Sequence, residues 1–350
     1  MSKRTSIKPG KVWLDTNGNR IQAHAGYMIF VDDTFYWYGE NKENVTSEYE
    51  VWHYGVRLYS SKDLYNWTDE GVICLPDLEN EESPLHPKSK MDRPHILYND
   101  KTKQFVLWMK VMEDGGANQY MVIATSETIK GPFCIVNERL QPLGMKSGDF
   151  DLVKDDDGKA YIVFERVHSD MIVADLTDDY LNVTGKYSVH FPRKCPPYVR
   201  EAPAVFKRGG VNYIYTSGTS AKFPNPSEVA RFTDFHGEWE ELGDPHVGDE
   251  KKTSFDSQIS CVFKYPYADD LYIAMADRWL VDMPEGLPSG HDVYAALFDP
   301  DADQTYKDFD LFKYTKKNTS IADYVWLPIK WEDGVPKLYW LNEWKIEDFI

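Results

Sequence analysis

A turn rich in Asp, Gly or Lys followed by a short aromatic or β-branched run occurs six times along the chain, and this repeat constrains the fold more than any other feature. The copies are Asp33-Thr-Phe-Tyr-Trp-Tyr38, Lys103-Gln-Phe-Val-Leu-Trp108, Gly158-Lys-Ala-Tyr-Ile-Val163, Gly210-Val-Asn-Tyr-Ile-Tyr215, Asp270-Leu-Tyr-Ile-Ala274 and Pro336-Lys-Leu-Tyr-Trp340, roughly 50 to 70 residues apart. Three of them are followed by a second element, Ser61-Lys-Asp-Leu-Tyr-Asn-Trp67, Ser126-Glu-Thr-Ile-Lys-Gly-Pro-Phe133 and the looser Thr233-Asp-Phe-His-Gly-Glu-Trp239, which reads as an outer strand of the same unit. A unit of short antiparallel strands recurring at this period buries its faces only against its neighbours, which describes the blade of a β-propeller. The expectation is all-β: a single five-bladed β-propeller over residues 1–350, the sixth strand-turn element completing the ring. Helical periodicity never extends beyond about two turns, which disfavours an α/β enzyme. The acidic, proline-containing stretch from Leu75 to Pro94 reads as a rim loop.

Composition narrows the function. The formal charge of −18 is spread along the chain and repels phosphate backbones and anionic headgroups, which excludes nucleic acid and membrane as natural partners. The 11 Trp, 23 Tyr and 17 Phe suit sheet packing first and sugar stacking second. Cys74, Cys134, Cys195 and Cys261 form no C-x-x-C pair, so buried reduced thiols are expected rather than a zinc or redox motif. No apolar leader follows the N-terminal residues and no apolar run is long enough to span a bilayer, so a cytoplasmic protein is expected.

The first strands of propeller blades gather around a central channel, so polar residues in those strands are the candidates for chemistry. They are Gln22 and His24, Glu40 and Asn41, Asp92 and Arg93, Asp149 and Asp151, Glu201, Gln258, and Asp277 and Arg278. Glu201, in Tyr198-Val-Arg-Glu-Ala-Pro-Ala-Val-Phe206, is a lone carboxylate among small and apolar residues; burial would raise its pKa and suit it to protonate a leaving oxygen, and a structural ion pair with Arg200 or Arg93 is the other reading. Asp149 and Asp151 alternate along a strand and share one face, where they could hold a water, a sugar hydroxyl or a cation. His24 reads as a core histidine, and Asp155-Asp-Asp-Gly158 as an exposed turn. Signatures for zinc proteases, EF-hands, phosphate loops and serine nucleophiles do not occur.

At these residues the chain resembles glycoside hydrolase family 43, whose members are five-bladed propeller enzymes. The likeness rests on Ile21-Gln-Ala-His-Ala-Gly26 with Tyr36-Trp-Tyr-Gly-Glu-Asn-Lys42, Asp92-Arg-Pro94 followed by Tyr98-Asn99, Asp155-Asp-Asp-Gly-Lys-Ala-Tyr161, Glu201-Ala-Pro-Ala204 and Asp277-Arg-Trp279, and extends over nearly the whole length. Within the family it is most similar to the branch of exo-β-1,3-galactanases and neighbouring α-L-arabinofuranosidase-like groups. The resemblance implies an inverting hydrolase with Glu201 as general acid and Asp149 as the carboxylate that orients and tunes it. The wider family places its base, an Asp, on the first inner strand, where this chain has Gln22-Ala-His24; Gln258 then holds the water, with Asp92 as an assisting carboxylate. By position Glu40, Tyr120 and Ser220 bind hydroxyls and Trp279 forms an aromatic wall. Where the branch has Ser-Arg-Asp and a Trp after its Ser-Gly-Cys-Thr-Gly, this chain has Gly148 and Lys222. The expected activity is exo-hydrolysis of a terminal galactose, arabinofuranose or xylose from oligosaccharides, the alternative being a sugar-binding propeller impaired in catalysis. No cofactor is required; a structural cation in the channel is compatible with the resemblance.

Overall fold

The computed structural model describes residues 3–45, 51–315 and 318–350. Four sheets are four-stranded antiparallel meanders. The first holds β1 (His24–Val31), β2 (Thr34–Glu40), β3 (Val56–Ser61) and β4 (Thr68–Cys74), and the second β5 (Lys90–Asn99), β6 (Gln104–Glu113), β7 (Asn118–Ser126) and β8 (Cys134–Leu140). The third holds β9 (Ser147–Lys154), β10 (Ala160–Arg166), β11 (Asp170–Leu176) and β12 (Val183–His190), and the fourth β13 (Arg200–Arg208), β14 (Val211–Gly218), β15 (Ser227–Phe232) and β16 (Glu240–Gly243). After β17 (His246–Val247), a fifth sheet is built from β18 (Gln258–Lys264), β19 (Tyr272–Arg278) and β20 (Asp323–Pro328), and the chain ends in β21 (Lys330–Glu332) and β22 (Val335–Tyr339). This is an all-β chain of the β-propeller class, with helix α1 (Gly290–Phe298) in the segment between β19 and β20.

Six sheets form, not the five blades expected. The sixth aromatic repeat, expected to complete the ring of five, belongs to a sheet of its own: it becomes β22, pairs antiparallel with β21 and takes β17 as a parallel neighbour (His246↔Leu338, Val247↔Tyr339). All six repeats are interior strands of their sheets. An interior strand has both edges paired and both faces packed, so it is written as a nearly continuous aromatic or β-branched run, with Trp37, Trp108, Phe164 and Tyr215 among the most deeply buried side chains. The second elements are not outer strands. They are the turns joining third and fourth strands, and their polar residues cap the backbone: Asp63 Oδ1 accepts from the amides of Tyr65 and Asn66 at 2.9 and 2.8 Å.

Each of the first five sheets breaks register between its first two strands at the same place: at His24/Tyr27, Asp92/His95, Ser147/Phe150, Glu201/Ala204 and Ile259/Cys261. A bulge inserts an unpaired residue and re-aims the side chain beside it. Three of these breaks carry a non-glycine residue at positive φ, Ala25 (44°), Arg93 (49°) and Ala202 (51°), and the last two precede Pro94 and Pro203, which bulges tolerate. The candidate residues His24, Asp92, Asp149, Glu201 and Gln258 all stand at or next to these breaks.

The chain divides into two compact units. The first, Met1–Arg4, Trp13–Val167 and Ile172–Ser188, has cores built on Tyr38, Leu58, Leu107 and Val122 and on Trp108, Phe150, Ile162 and Phe164. The second, Thr5–Val12, His168–Met171 and Val189–Ile350, has a core of Ala204, Tyr215, Ile259, Ala274, Val325 and Leu327. In the first unit β2 passes so close to the start of β1 that a Cβ on Gly39 would lie 2.3 Å from the Ala23 carbonyl carbon and 2.6 Å from the His24 oxygen. Gly39→Ala is therefore expected to destabilise the protein by about 1–3 kcal/mol, read as a lower urea midpoint with an unchanged slope. Of the cysteines, Cys74 and Cys261 are buried, Cys195 is half-buried and Cys134 is exposed.

Candidate active site

The candidate residues fall into two groups, each built within one unit. In the first, a ring of buried charges links the ends of β2, β5, β6 and β9. Glu40 Oε1 accepts the backbone N–H of Arg93 at 3.0 Å, and its Oε2 pairs with Lys42 Nζ at 2.8 Å. Lys42 donates to the Trp52 carbonyl at 2.7 Å and lies 4.7 Å from the Trp52 ring centre. Trp52 Nε1 donates to Asp92 Oδ1 at 2.6 Å, and Lys110 Nζ reaches Asp92 Oδ2 at 3.2 Å and Asp149 Oδ1 at 2.8 Å. Arg93 Nε closes the ring on Asp149 Oδ2 at 2.8 Å.

Strand register explains how these residues meet. Asp92 and Lys110 are cross-strand partners on β5 and β6. Arg93 and His95, alternating along β5, meet Asp149 and Asp151, alternating along β9, with His95 Nδ1 at 2.8 Å from Asp151 Oδ1. The two aspartates thus share a face, as their spacing predicts; Arg93 and Lys110 occupy the oxygens of Asp149, and His95, whose Nδ1 accepts the Leu152 N–H at 3.0 Å, lies against Asp151. Burial alone would raise the Asp149 carboxyl, yet Arg93 and Lys110 outweigh it and hold the group well below the ordinary carboxylate range. Burial likewise opposes the charge on Lys110, and Asp149 and Asp92 more than restore it. His53, beside Lys42 and Asp92, is pushed down to about 3, first by burial and then by Lys42, so it stays neutral.

Gln22 and His24 are buried together, with His24 Nε2 3.1 Å from Gln22 Oε1. Tyr120 lies deep in the second sheet, where its hydroxyl donates to Glu113 Oε1 at 2.6 Å and Arg139 stacks on its ring. A Cβ at Gly148 would meet Glu165 Oε2 at 2.1 Å, so Glu165 fills the space that a side chain at 148 would need.

In the second unit Glu201 is half-buried at the bulge of β13, not sealed in the core. Gln258 Nε2 donates to Glu201 Oε1 at 3.1 Å and approaches Ser217 Oγ at 3.3 Å, while Gln258 Oε1 accepts from Trp279 Nε1 at 3.4 Å. The buried Asn225 braces the neighbouring loop: its Oδ1 accepts from Gly218 N–H at 2.7 Å and from Ser217 Oγ at 3.0 Å, and its Nδ2 donates to Ser220 Oγ at 2.7 Å. Ser220 Oγ in turn donates to the Phe223 carbonyl at 2.8 Å. A narrow cavity opens here, lined by Ser217, Lys222, Asn225, Gln258, Asp277 and Trp279, with Lys222 Nζ 4.2 Å from the Trp279 ring centre. Arg200, the possible ion-pair partner of Glu201, bonds Thr216 at 3.0 Å through Nε and pairs with Glu228 at 3.3 Å.

Helix α1 adds a residue with no signal in the propeller repeat. Its first turn rests on Phe223 at Gly290, its C-cap Asp299 pairs with Lys194 at 2.7 Å, and His291 meets the Tyr198 ring edge-on. Tyr294 of this helix is pushed up to about 12, first by burial and then by the Glu201 carboxylate, so its hydroxyl is a neutral donor throughout the physiological range. Among the described residues no group of three or more His, Cys, Asp or Glu side chains is arranged to hold a metal ion, and no helix is long and apolar enough to cross a membrane.

Known proteins share both the pattern and the fold. A solved GH43 β-1,3-galactosidase superimposes with a TM-score of 0.81 over 99% of this chain and 65% of its own, at 29% identity. A second GH43 β-1,3-galactosidase, solved with galactodeoxynojirimycin, gives 0.77 over 97% of this chain and 100% of its own, at 27% identity. Among curated proteins, xylosidase/arabinosidase 43B of Humicola insolens is 26% identical over 219 residues, 58% of this chain. The chain spans 38% of the length of the curated relatives it matches. Residues 22–259, which contain Glu40, Asp92, Asp149, Glu201 and Gln258, match the pattern described as glycosyl hydrolases family 43, and the chain belongs to that family.

Proposed function

We propose that this chain is an exo-acting, inverting glycoside hydrolase that removes a terminal galactose from β-1,3-linked galacto-oligosaccharides, with terminal arabinofuranose and xylose as the next sugars to test. The observation that carries the reading is the Glu201–Gln258 pair: a half-buried carboxylic acid at a strand bulge, 3.1 Å from a neutral amide, with a tryptophan N–H on the far side of that amide. Glu201 protonates the leaving oxygen, and Asp149 is the fixed negative charge that tunes it. Gln258 positions the attacking water: with a sugar bound its Oε1 accepts one O–H of that water, and because an amide accepts protons poorly, the proton the water sheds as its oxygen bonds to the sugar carbon passes to solvent. Likeness to the β-1,3-galactosidases supports galactose as the first sugar.

The test is release of sugar from β-1,3-galactobiose and from aryl arabinofuranoside and xyloside, with the anomer of the first product read by NMR. No release from any of them, together with thermal protection by galactose, would favour a sugar-binding propeller, for which the missing Asp at Gln22-Ala-His24 is the motive. A finer check is Gln258→Glu. A second carboxylate about 3 Å from Glu201 makes the pair hold its proton to higher pH, so the basic limb of kcat/KM is expected to move up by about one unit or more.

A further inference from the structure

The ring of buried charges contains three carboxylates, Glu40, Asp92 and Asp149, and three cations, Lys42, Arg93 and Lys110. One member has an unusual place in it. Lys110 is the group through which carboxylates of two different sheets, Asp92 on β5 and Asp149 on β9, share a single ammonium. Arg93 pairs with Asp149, Trp52 donates to Asp92, and Lys42 pairs with Glu40. Asp92 and Asp149 both lie within 3.2 Å of one nitrogen, and without its charge between them each carboxylate makes the other harder to ionise.

We propose that Lys110 is a positioning residue for hydrolysis: its ammonium, bridging Asp92 and Asp149, keeps both as carboxylates and fixes the orientation from which Asp149 acts. The proposal rests on the reading of Asp149 as the tuning carboxylate. The other charged or titratable groups around the bridge are Arg93, His53, Glu40 and Lys42, with His95 and Asp151 on the adjacent positions of β5 and β9 and Glu165 beside Gly148. Arg93 remains as a partner of Asp149 when Lys110 is neutralised; the carboxylates that lose a cation in that case are Asp92 and Asp149, so the proton taken up goes to that pair.

The experiment compares wild type with Lys110→Gln and Lys110→Arg on β-1,3-galactobiose across pH. In Lys110→Gln the acid limb of kcat/KM is expected to rise by about one pH unit and kcat to fall about tenfold with KM within twofold, because one of the pair carries a proton where wild type carries none. Lys110→Arg keeps the charge and is expected to return the limb to the wild-type position. A Lys110→Gln profile that overlays wild type, or an arginine variant displaced as far as the glutamine one, overturns the proposal. If Lys110→Gln does not fold, Trp52→Phe takes away the indole N–H on Asp92 and is expected to move the same limb the same way by a smaller step; an unmoved limb there overturns it. If wild type cleaves nothing, the hydrolase reading falls separately, and Lys110 is judged by the carboxyl NMR resonances of Asp92 and Asp149. A resonance titrating above pH 5 in Lys110→Gln but not in wild type upholds the bridge, and unchanged resonances overturn it.

Discussion

Glu201→Gln is expected to lower kcat on β-1,3-galactobiose by about 10²- to 10⁴-fold while leaving the protein folded. The leaving group in that substrate is a sugar alkoxide, too basic to depart without a proton, so the whole contribution of the acid is at stake. An aryl galactoside with a strongly acidic phenol needs little protonation, and its loss should be at least tenfold smaller. That contrast separates an acid from a residue that merely shapes the site, since a shape defect slows both substrates alike. Folding should be preserved because Glu201 is half-buried and its contact with Gln258 at 3.1 Å is replaced by an amide–amide hydrogen bond. Equal losses on the two substrates would remove Glu201 from the role of acid.

Which parts of this arrangement could be read from the sequence follows from the range of the forces involved. The aromatic repeats were legible because an interior strand's burial is written into contiguous residues. The six repeats match the six sheets; the expectation of five blades failed because the sixth repeat was given to ring closure, its partners β17 and β21 being too short to register as a pattern. The second elements misled because a Ser/Asp turn and a short polar outer strand draw on similar residues; only the backbone amides bonded by Asp63 distinguish them.

Glu201 stands out in the sequence as a lone carboxylate among small and apolar residues, in Glu201-Ala-Pro203; the structure places it at a bulge with Ala202 at positive φ, and Asp92-Arg-Pro94 at another with Arg93 at positive φ. Lys110 does not stand out. Met109-Lys-Val111 reads as an ordinary strand, and the ammonium acquires its meaning only from the register that sets it opposite Asp92 and from the packing of β5 on β9. Asp149 and Asp151 were correctly placed on one face, yet the sequence offered no means of seeing that Arg93 and His95 occupy that face from another sheet. Tyr294 lies on the lone α-helix among the described residues, in a segment outside the repeat.

Asp149→Ala is expected to be the most destabilising of the site substitutions, by about 3–5 kcal/mol, because it removes the carboxylate with which the buried Arg93 and Lys110 both pair. The pH dependence gives the sign. Folding holds the Asp149 carboxyl below its ordinary value of 3.8, so the folded state favours the ionised form; the stabilisation is complete at pH values above 3.8 and is lost progressively as the pH falls below it. The stability gap between wild type and Asp149→Ala, measured by urea unfolding, should therefore be flat from about pH 5 to 7 and narrow on the acid side. A gap independent of pH down to about 2 would mean that the aspartate contributes by packing alone. Asp149→Asn keeps the shape and removes the charge, so it should lose most of the same stability and all of the same pH dependence. Because Lys110 and Arg93 both pair with that charge, the substitution that most weakens the first unit is also the one that removes the tuning carboxylate, and loss of activity in it would be uninformative without Glu201→Gln as the folded control.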